Sequence, residues 1–295
     1  MFAIAALHFF SVACAQGSRD PGKALLQAAN DDSGAGLPDA GEPDAGAPDG
    51  GLPDDGGVPD AGLPDGGLSD GGLPDGGGPF SDEFDDSATL SRWQILPPGT
   101  TQFDVDINVS TRGYLTLVPT AVSYWYDGNH GPFLYQLVGG DFVVATSVIA
   151  RNLNDPSRPP DRSFNSAGLL ARDPASAPES ENWVMLDTGR QEVFVGYEGK
   201  TTVNSASVLD LIPGANNGEL RICRLGSTLH MFRRLGDDPS LTETETYERE
   251  DLPQMLQVGL IANAYEGPPD LRAEFDYVRY TRPATFADCT AVIGP

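Results

Sequence analysis

Phe103-Asp104-Val105-Asp106-Ile107-Asn108-Val109 alternates apolar and polar side chains without interruption. Successive side chains of an extended chain point to opposite faces, so a period of two predicts a β-strand with one dry and one wet face. Signals of the same kind fill the C-terminal two-thirds of the chain. Phe142 to Ala150 is apolar or small on both faces, which predicts an interior strand covered on both sides. Glu219 to Leu225 and Thr228 to Arg234 flank Gly226-Ser227, a two-residue loop with glycine first that suits a type II′ hairpin. Leu256 to Ala264 and Leu271 to Tyr280 continue the series, and no window of about twelve residues carries a helical stripe. The expected fold class is all-β: one antiparallel two-sheet sandwich over 80–283, followed by a short tail, 284–295.

N-terminal to this region the composition changes. Eight near-copies of Pro-Asp-Ala/Gly-Gly run from Pro38 to Gly77, with a five-residue period broken by one six-residue step after Pro53 and with Ser69 replacing one proline. Regular proline resists collapse, like charges repel, and glycine prevents a stable helix, so 16–79 is expected to be a disordered acidic linker. A flexible coil of about 50 residues has an r.m.s. span near 40 Å, enough to lift a domain off a surface. Gly67-Leu68-Ser69-Asp70-Gly71 inside this tract matches the G-x-S-x-G pattern, but that pattern has meaning only between a buried strand and a helix.

Residues 1–15 begin with MFAIAALHFFSVA, an apolar run with the length of a secretory h-region and shorter than the roughly 20 residues of a spanning helix. No Lys or Arg precedes the run. Ser11-Val12-Ala13-Cys14 resembles the bacterial lipoprotein cleavage box, which makes Cys14 the expected lipid-attachment site; cleavage after Ala15 is the competing reading. Both export the chain, either to the outer membrane or cell surface as a lipoprotein or as a secreted protein, with membrane contact only through the lipid. Cys223 and Cys289 are then left as a candidate disulfide in an oxidising compartment, the alternative being two free thiols.

The formal net charge of the chain is −25. From Phe80 onward the basic residues are scattered among a larger number of acidic ones, so no Lys/Arg cluster offers the counterion release that drives phosphate binding, and nucleic acid is not an expected partner.

Several strings occur in order along 80–282: Trp125-Tyr126-Asp127, Gly131-Pro132-Phe133-Leu134, Gly140-Asp141-Phe142-Val143-Val144, Ala167-Gly168-Leu169-Leu170, Glu181-Asn182-Trp183-Val184, Lys200-Thr201-Thr202-Val203-Asn204-Ser205, Val258-Gly259-Leu260 and Phe275-Asp276-Tyr277-Val278-Arg279-Tyr280. Together they resemble the concanavalin A-like lectin/glucanase superfamily. The likeness is strongest to a bacterial jelly-roll family also found as the C-terminal domain of some β-xylosidases. The resemblance implies a jelly-roll sandwich. It does not select an activity, because that superfamily holds enzymes, sugar binders and structural modules.

Glycoside hydrolases of the superfamily use a strand motif Glu-x-Asp-x-x-Glu. Glu274-Phe275-Asp276 reproduces its first half, but Arg279 stands where the second glutamate belongs, which removes the proton donor of a two-carboxylate mechanism. Glu274 and Asp276 are expected to share one face of an edge strand. Asp104 with Asp106, and Glu192 with Glu198, read as solvated carboxylates. Catalysis is therefore not expected, and an enzyme of the same fold is the alternative reading.

Sugar sites combine flat aromatic rings with a few convergent polar groups. Tyr124, Trp125, Tyr126, Asp127, Asn129 and His130 supply both in one short segment, with at least one of the three aromatics expected to be exposed or to lie against a loop. Trp183 and Tyr197 are candidates to extend the platform, and Arg172 and Asn182 to serve as polar companions. No cofactor is expected, except that the resemblance admits a structural calcium, for which Asp82, Glu83 and Asp276 are the candidate ligands if the first and last strands pair. The leading functional reading is a non-catalytic, surface-anchored module that binds carbohydrate or another cell-surface polymer. The alternatives are a glycoside hydrolase or polysaccharide lyase of the same fold, and a structural or protein-adhesion lipoprotein.

Overall fold

The computed structural model describes residues 81–98, 102–234 and 240–294. The export segment with Cys14 and the acidic linker lie outside the described residues. Among the described residues, no helix is long and apolar enough to cross a membrane.

Fourteen strands are seen: β1 Gln94–Leu96, β2 Phe103–Ile107, β3 Leu115–Pro119, β4 Phe133–Gly139, β5 Phe142–Asn152, β6 Asn165–Arg172 and β7 Trp183–Arg190, then β8 Val195–Val203, β9 Ala206–Pro213, β10 Asn217–Leu225, β11 Thr228–Arg234, β12 Thr242–Glu248, β13 Met255–Ala264 and β14 Leu271–Thr281. They form two seven-stranded antiparallel sheets. Sheet one has the order β1-β4-β13-β6-β7-β8-β9, and sheet two β12-β11-β10-β5-β14-β3-β2. Leu169, Leu186 and Leu260 from sheet one meet Leu117, Val148, Ile222 and Phe275 from sheet two in one hydrophobic core. Each such side chain contributes about 1.5–3 kcal/mol on burial.

The predicted strands are present, with informative differences at their ends. β10 and β11 pair through Leu225 and Thr228, and Gly226 has φ +61°, the left-handed entry that a type II′ turn requires. β2 is shorter than its alternation suggests. Asn108 adopts φ 60°, and Asp106 accepts hydrogen bonds from the amides of Val109 (3.3 Å) and Ser110 (2.9 Å), so the chain turns and Val109 is left 73% exposed. Short polar side chains that bond their own backbone compete in this way with the ladder.

β14 corrects the expectation of an edge strand: it lies inside sheet two, between β5 and β3. Its register shifts between Phe275 and Tyr277. The extra residue at this bulge is Asp276, which is exposed, and the shift lets Phe275 and Val278 both point into the core.

β5 is buried on both faces over 142–146, where the second cover comes from the C-terminus, whereas Ser147, Ile149 and Arg151 further along are half-buried. Helix α1 (Phe286–Thr290) lies against sheet two, with Cys289 packed beside Val143, Cys223 and Phe232. Cys223 and Cys289 form a disulfide with a Cα separation of 5.6 Å. Arg221, 1% exposed, donates to the carbonyls of Cys289 (2.7 Å) and Ala291 (2.8 Å), supplying charge-assisted partners to otherwise orphaned helix-end carbonyls.

Candidate functional site

The central strands of sheet one are also buried on both faces, and their outer face combines an aromatic cluster with buried polar groups. Because Val184 and Leu186 point into the core, Trp183, Met185 and Asp187 on β7 point outward. The β7–β8 register places Trp183 opposite Thr202, Met185 opposite Lys200 and Asp187 opposite Glu198, so these six side chains share the outer face. The segment 124–132, which leads into β4, crosses this face as a strap. Trp125 is fully buried and meets Phe133 and Trp183 edge to face, with ring centroids 5.6 and 5.9 Å apart.

Polar bonds fasten the strap. The Trp125 amide donates to Asn263 Oδ1 (2.8 Å), and Lys200 Nζ donates to the Trp125 carbonyl (2.7 Å). Asp127 and Ser207 exchange two bonds: the Asp127 amide donates to Ser207 Oγ (2.7 Å) and the Ser207 amide to Asp127 Oδ1 (2.9 Å). His130 Nε2 lies 2.7 Å from Glu181 Oε1, and Glu181 receives both Nε and NH2 of Arg172 at 2.7 Å each. Burial alone would raise the Glu181 carboxyl, but the bonds from His130 and the Arg172 guanidinium hold it below the ordinary range. His130, with a side chain 20% exposed, is the wet end of this relay, whereas Glu181 is sealed.

Beneath the strap lies a second charged group. Asp187 accepts from Ser166 Oγ (2.6 Å) and Asn263 Nδ2 (2.7 Å) through one oxygen, and from Gln191 Nε2 (3.1 Å) through the other. Burial, and then the charge of Glu198 across the ladder, push its pKa up to about 7. Lys200 Nζ stands 2.6 Å from Glu198 Oε1, but the pair is not aligned as a hydrogen bond. Among the described residues both Glu198 oxygens, Gln191 Oε1 and Trp183 Nε1 are buried without a hydrogen-bond partner. Such atoms are scarce in folded proteins, and here they lie sealed beneath the strap.

The residues picked out in the sequence therefore divide. Tyr124, Trp125, Tyr126, Asp127, Asn129, His130, Arg172, Asn182 and Trp183 gather on the strap and on the sheet face and loops around it. Tyr197 does not: it points into the inter-sheet core, and its hydroxyl donates to the Asn217 carbonyl at 2.8 Å. The open aromatic platform is also corrected, because Trp125 and Trp183 are 0% exposed and Tyr126 is 7% exposed, each sealed by the packing of strap on sheet. Tyr124 is half-buried and packs edge to face on Tyr265 at 5.0 Å. Asn182 accepts from the Asn204 amide (2.9 Å) and donates to the Ser180 carbonyl (3.1 Å), serving the neighbouring turn.

Glu198 is not solvated, as its neighbours in sequence suggested, but completely buried. Asp187 and Lys200 were not singled out by the sequence. The period-two parity that puts Trp183 outward puts both on the same face, and this was the available signal.

On β14, Glu274 binds Arg151 (2.7 Å), Arg272 (2.9 Å) and Thr111 (2.7 Å). Although burial pushes its carboxyl up, these donors hold it below the ordinary range, which suits a fixed anion and not a proton donor. Arg279 pairs with Glu83 at 2.7 Å. The first and last segments do meet, through a bridge between Asp82 and Val278, but Asp82 accepts from the Phe84 amide (3.0 Å) and Trp93 Nε1 (3.3 Å). Among the described residues no group of three or more His, Cys, Asp or Glu side chains is arranged to hold a metal ion.

No protein-family model matches the chain, and no curated protein sequence matches it. The fold recurs in solved structures. A functionally unknown protein from Saccharomyces cerevisiae aligns with a TM-score of 0.52 at 16% identity, over 66% of this chain and 99% of that one. Xylan β-1,4-xylosidase from Bacillus halodurans C-125 gives 0.53 at 17% identity, over 69% of this chain and 39% of the enzyme. The GH43 protein BlXynB from Bacillus licheniformis gives 0.51 at 15% identity, again over 69% and 39%. This chain thus spans well under half the length of either GH43-type protein. These likenesses show the fold, the concanavalin A-like jelly-roll sandwich.

Proposed function

We propose that this protein is an exported, surface-anchored, non-catalytic module that binds carbohydrate or another extracellular polymer. The observation that supports the binding reading is the rim of the strap, where Tyr124, Asp127, Asn129 and His130 stay half-exposed beside the sealed aromatic cluster of sheet one. Export and lipid attachment at Cys14 rest on the N-terminal sequence, and the acidic linker supplies the reach. Display of the purified protein on a glycan array and on insoluble polysaccharides tests the reading. Saturable retention on at least one polymer, weakened by His130→Ala, is expected; absence of retention on all of them overturns it.

The Asp187–Glu198 pair favours a second reading, a glycoside hydrolase or lyase. Two facing carboxyl groups, one of them raised by burial, are the elements of acid/base catalysis. Against it stands the strap, which seals both groups from any substrate. Release of new chain ends from a polysaccharide, abolished by Glu198→Gln, would establish this reading in place of the first.

A further inference from the structure

We propose that the groove between the outward face of the β2–β3 hairpin and the Pro268-Pro269 turn is a second ligand site, one that takes the rings of a neutral, hydroxyl-rich glycan. The proposal rests on the carbohydrate reading above and gives it an open site on the other sheet. Phe103, Ile107, Leu115 and Leu117 point into the core, so Asp104 and Asp106 on β2 and their partners Val118 and Thr116 on β3 share the outer face of sheet two. These four residues line a cavity of about 500 Å³, a size typical of small-ligand sites.

Three features define the ligand. Thr116 is 2% exposed, yet among the described residues its hydroxyl has no hydrogen-bond partner, a state that favours any ligand able to supply one. Asp106 is held by the Val109 and Ser110 amides and by the Ser110 hydroxyl (2.6 Å), while Asp104 is exposed and has no hydrogen-bond or ion-pair partner among the described residues. The groove therefore presents one held carboxylate, Asp106, and one free carboxylate, Asp104, to hydroxyl donors. Opposite them, Leu153, Pro268 and Pro269 form a stiff apolar wall of the kind that accepts the C–H face of a pyranose.

No Lys or Arg lines this cavity, and its two carboxylates repel polyanions. A smaller cavity of about 260 Å³ adjoins it, sharing Pro268 and Pro269; Asn152 and Asn154 line it together with Arg158 and Arg162, whose charges are matched by Asp155, Asp161 and Glu266.

Affinity electrophoresis of the full chain, in native gels containing soluble arabinoxylan, mixed-linkage β-glucan, galactomannan or polygalacturonate, tests the site. Wild type is expected to be retarded by at least one neutral polymer and not by polygalacturonate. Thr116→Val and Asp104→Ala are each expected to weaken that retardation about fivefold to tenfold, the size of one hydrogen bond. Thr116→Val should leave the unfolding midpoint unchanged or raised, because the hydroxyl it removes has no partner in the free protein. Wild-type retardation in both variants, with loss only in His130→Ala, overturns the groove and leaves the carbohydrate reading standing. Retardation by polygalacturonate alone overturns the neutral ligand class, and no retardation in any gel overturns both proposals.

Discussion

Asp187 on β7 stands directly opposite Glu198 on β8, and neither side chain reaches water. Two carboxyl groups in such a place cannot both ionise at low cost. The cluster around them, with Lys200 beside Glu198 and Ser166, Gln191 and Asn263 donating to Asp187, is the electrostatic centre of the strap-covered face.

A first consequence is a pH dependence of stability. The folded pKa of Asp187 lies above its unfolded value, so its contribution is complete below the unfolded pKa and is lost as pH rises through about 7. Glu245, raised to about 7 by burial and by Asp210, adds in the same direction. The unfolding midpoint is expected to fall between about pH 4 and about pH 7, and Glu198→Gln, which removes the charge facing Asp187, should flatten that fall. A midpoint that climbs over the same interval would contradict the assignment.

Lys200 connects the bed to the strap, since its ammonium reaches both Glu198 and the Trp125 carbonyl. Lys200→Met leaves a buried carboxylate without its counter-charge, a loss of about 3–5 kcal/mol. Hydrogen exchange should show the strap amides of Trp125 and Asp127 losing protection before the β6–β7 ladder does. Uniform loss across the domain would mean that Lys200 supports the whole fold and not the strap.

Glu181 provides an internal comparison. Glu181→Ala strands the buried Arg172 guanidinium and should cost about 3–5 kcal/mol, whereas His130→Ala, at the wetter end of the same relay, should cost less than about 1 kcal/mol. Chemical denaturation of the two variants measures both. Equal losses would show that His130 is as structural as Arg172, and would disqualify it as a reporter of binding.

The Cys223–Cys289 bond closes a loop across a sequence separation of 66 and holds α1 over sheet two. Its removal by Cys289→Ser should cost about 2–4 kcal/mol and expose Val143 and Phe232 to solvent. Unfolding curves with and without reductant check this: wild type should respond to reductant and the variant should not.

Much of the sandwich was legible because alternation is a local property. The bounds of β5, β10, β11, β13 and β14 follow from it to within a residue or two, as does the turn at Gly226. What was not legible depended on distant chain. Glu198 looked solvated because nothing near it in sequence announces the strap, which arrives from residues 124–132. Tyr197 and Trp183 looked like neighbours on one platform, but the β7–β8 register sets Thr202, Lys200 and Glu198 on the face of Trp183 and turns Tyr197 into the core. The position of β14 inside sheet two, and the bulge at Asp276, belong to sheet order and ladder register, which alternation along one strand does not encode.

The most direct test of a module that holds a polymer without cutting it is to incubate the purified protein with the best-retained polysaccharide for a day and to measure bound protein and new reducing or unsaturated ends in the same tube. The account predicts saturable binding with chain ends at the level of the protein-free control. Chain ends that accumulate in proportion to protein, and vanish with Glu198→Gln, would contradict it.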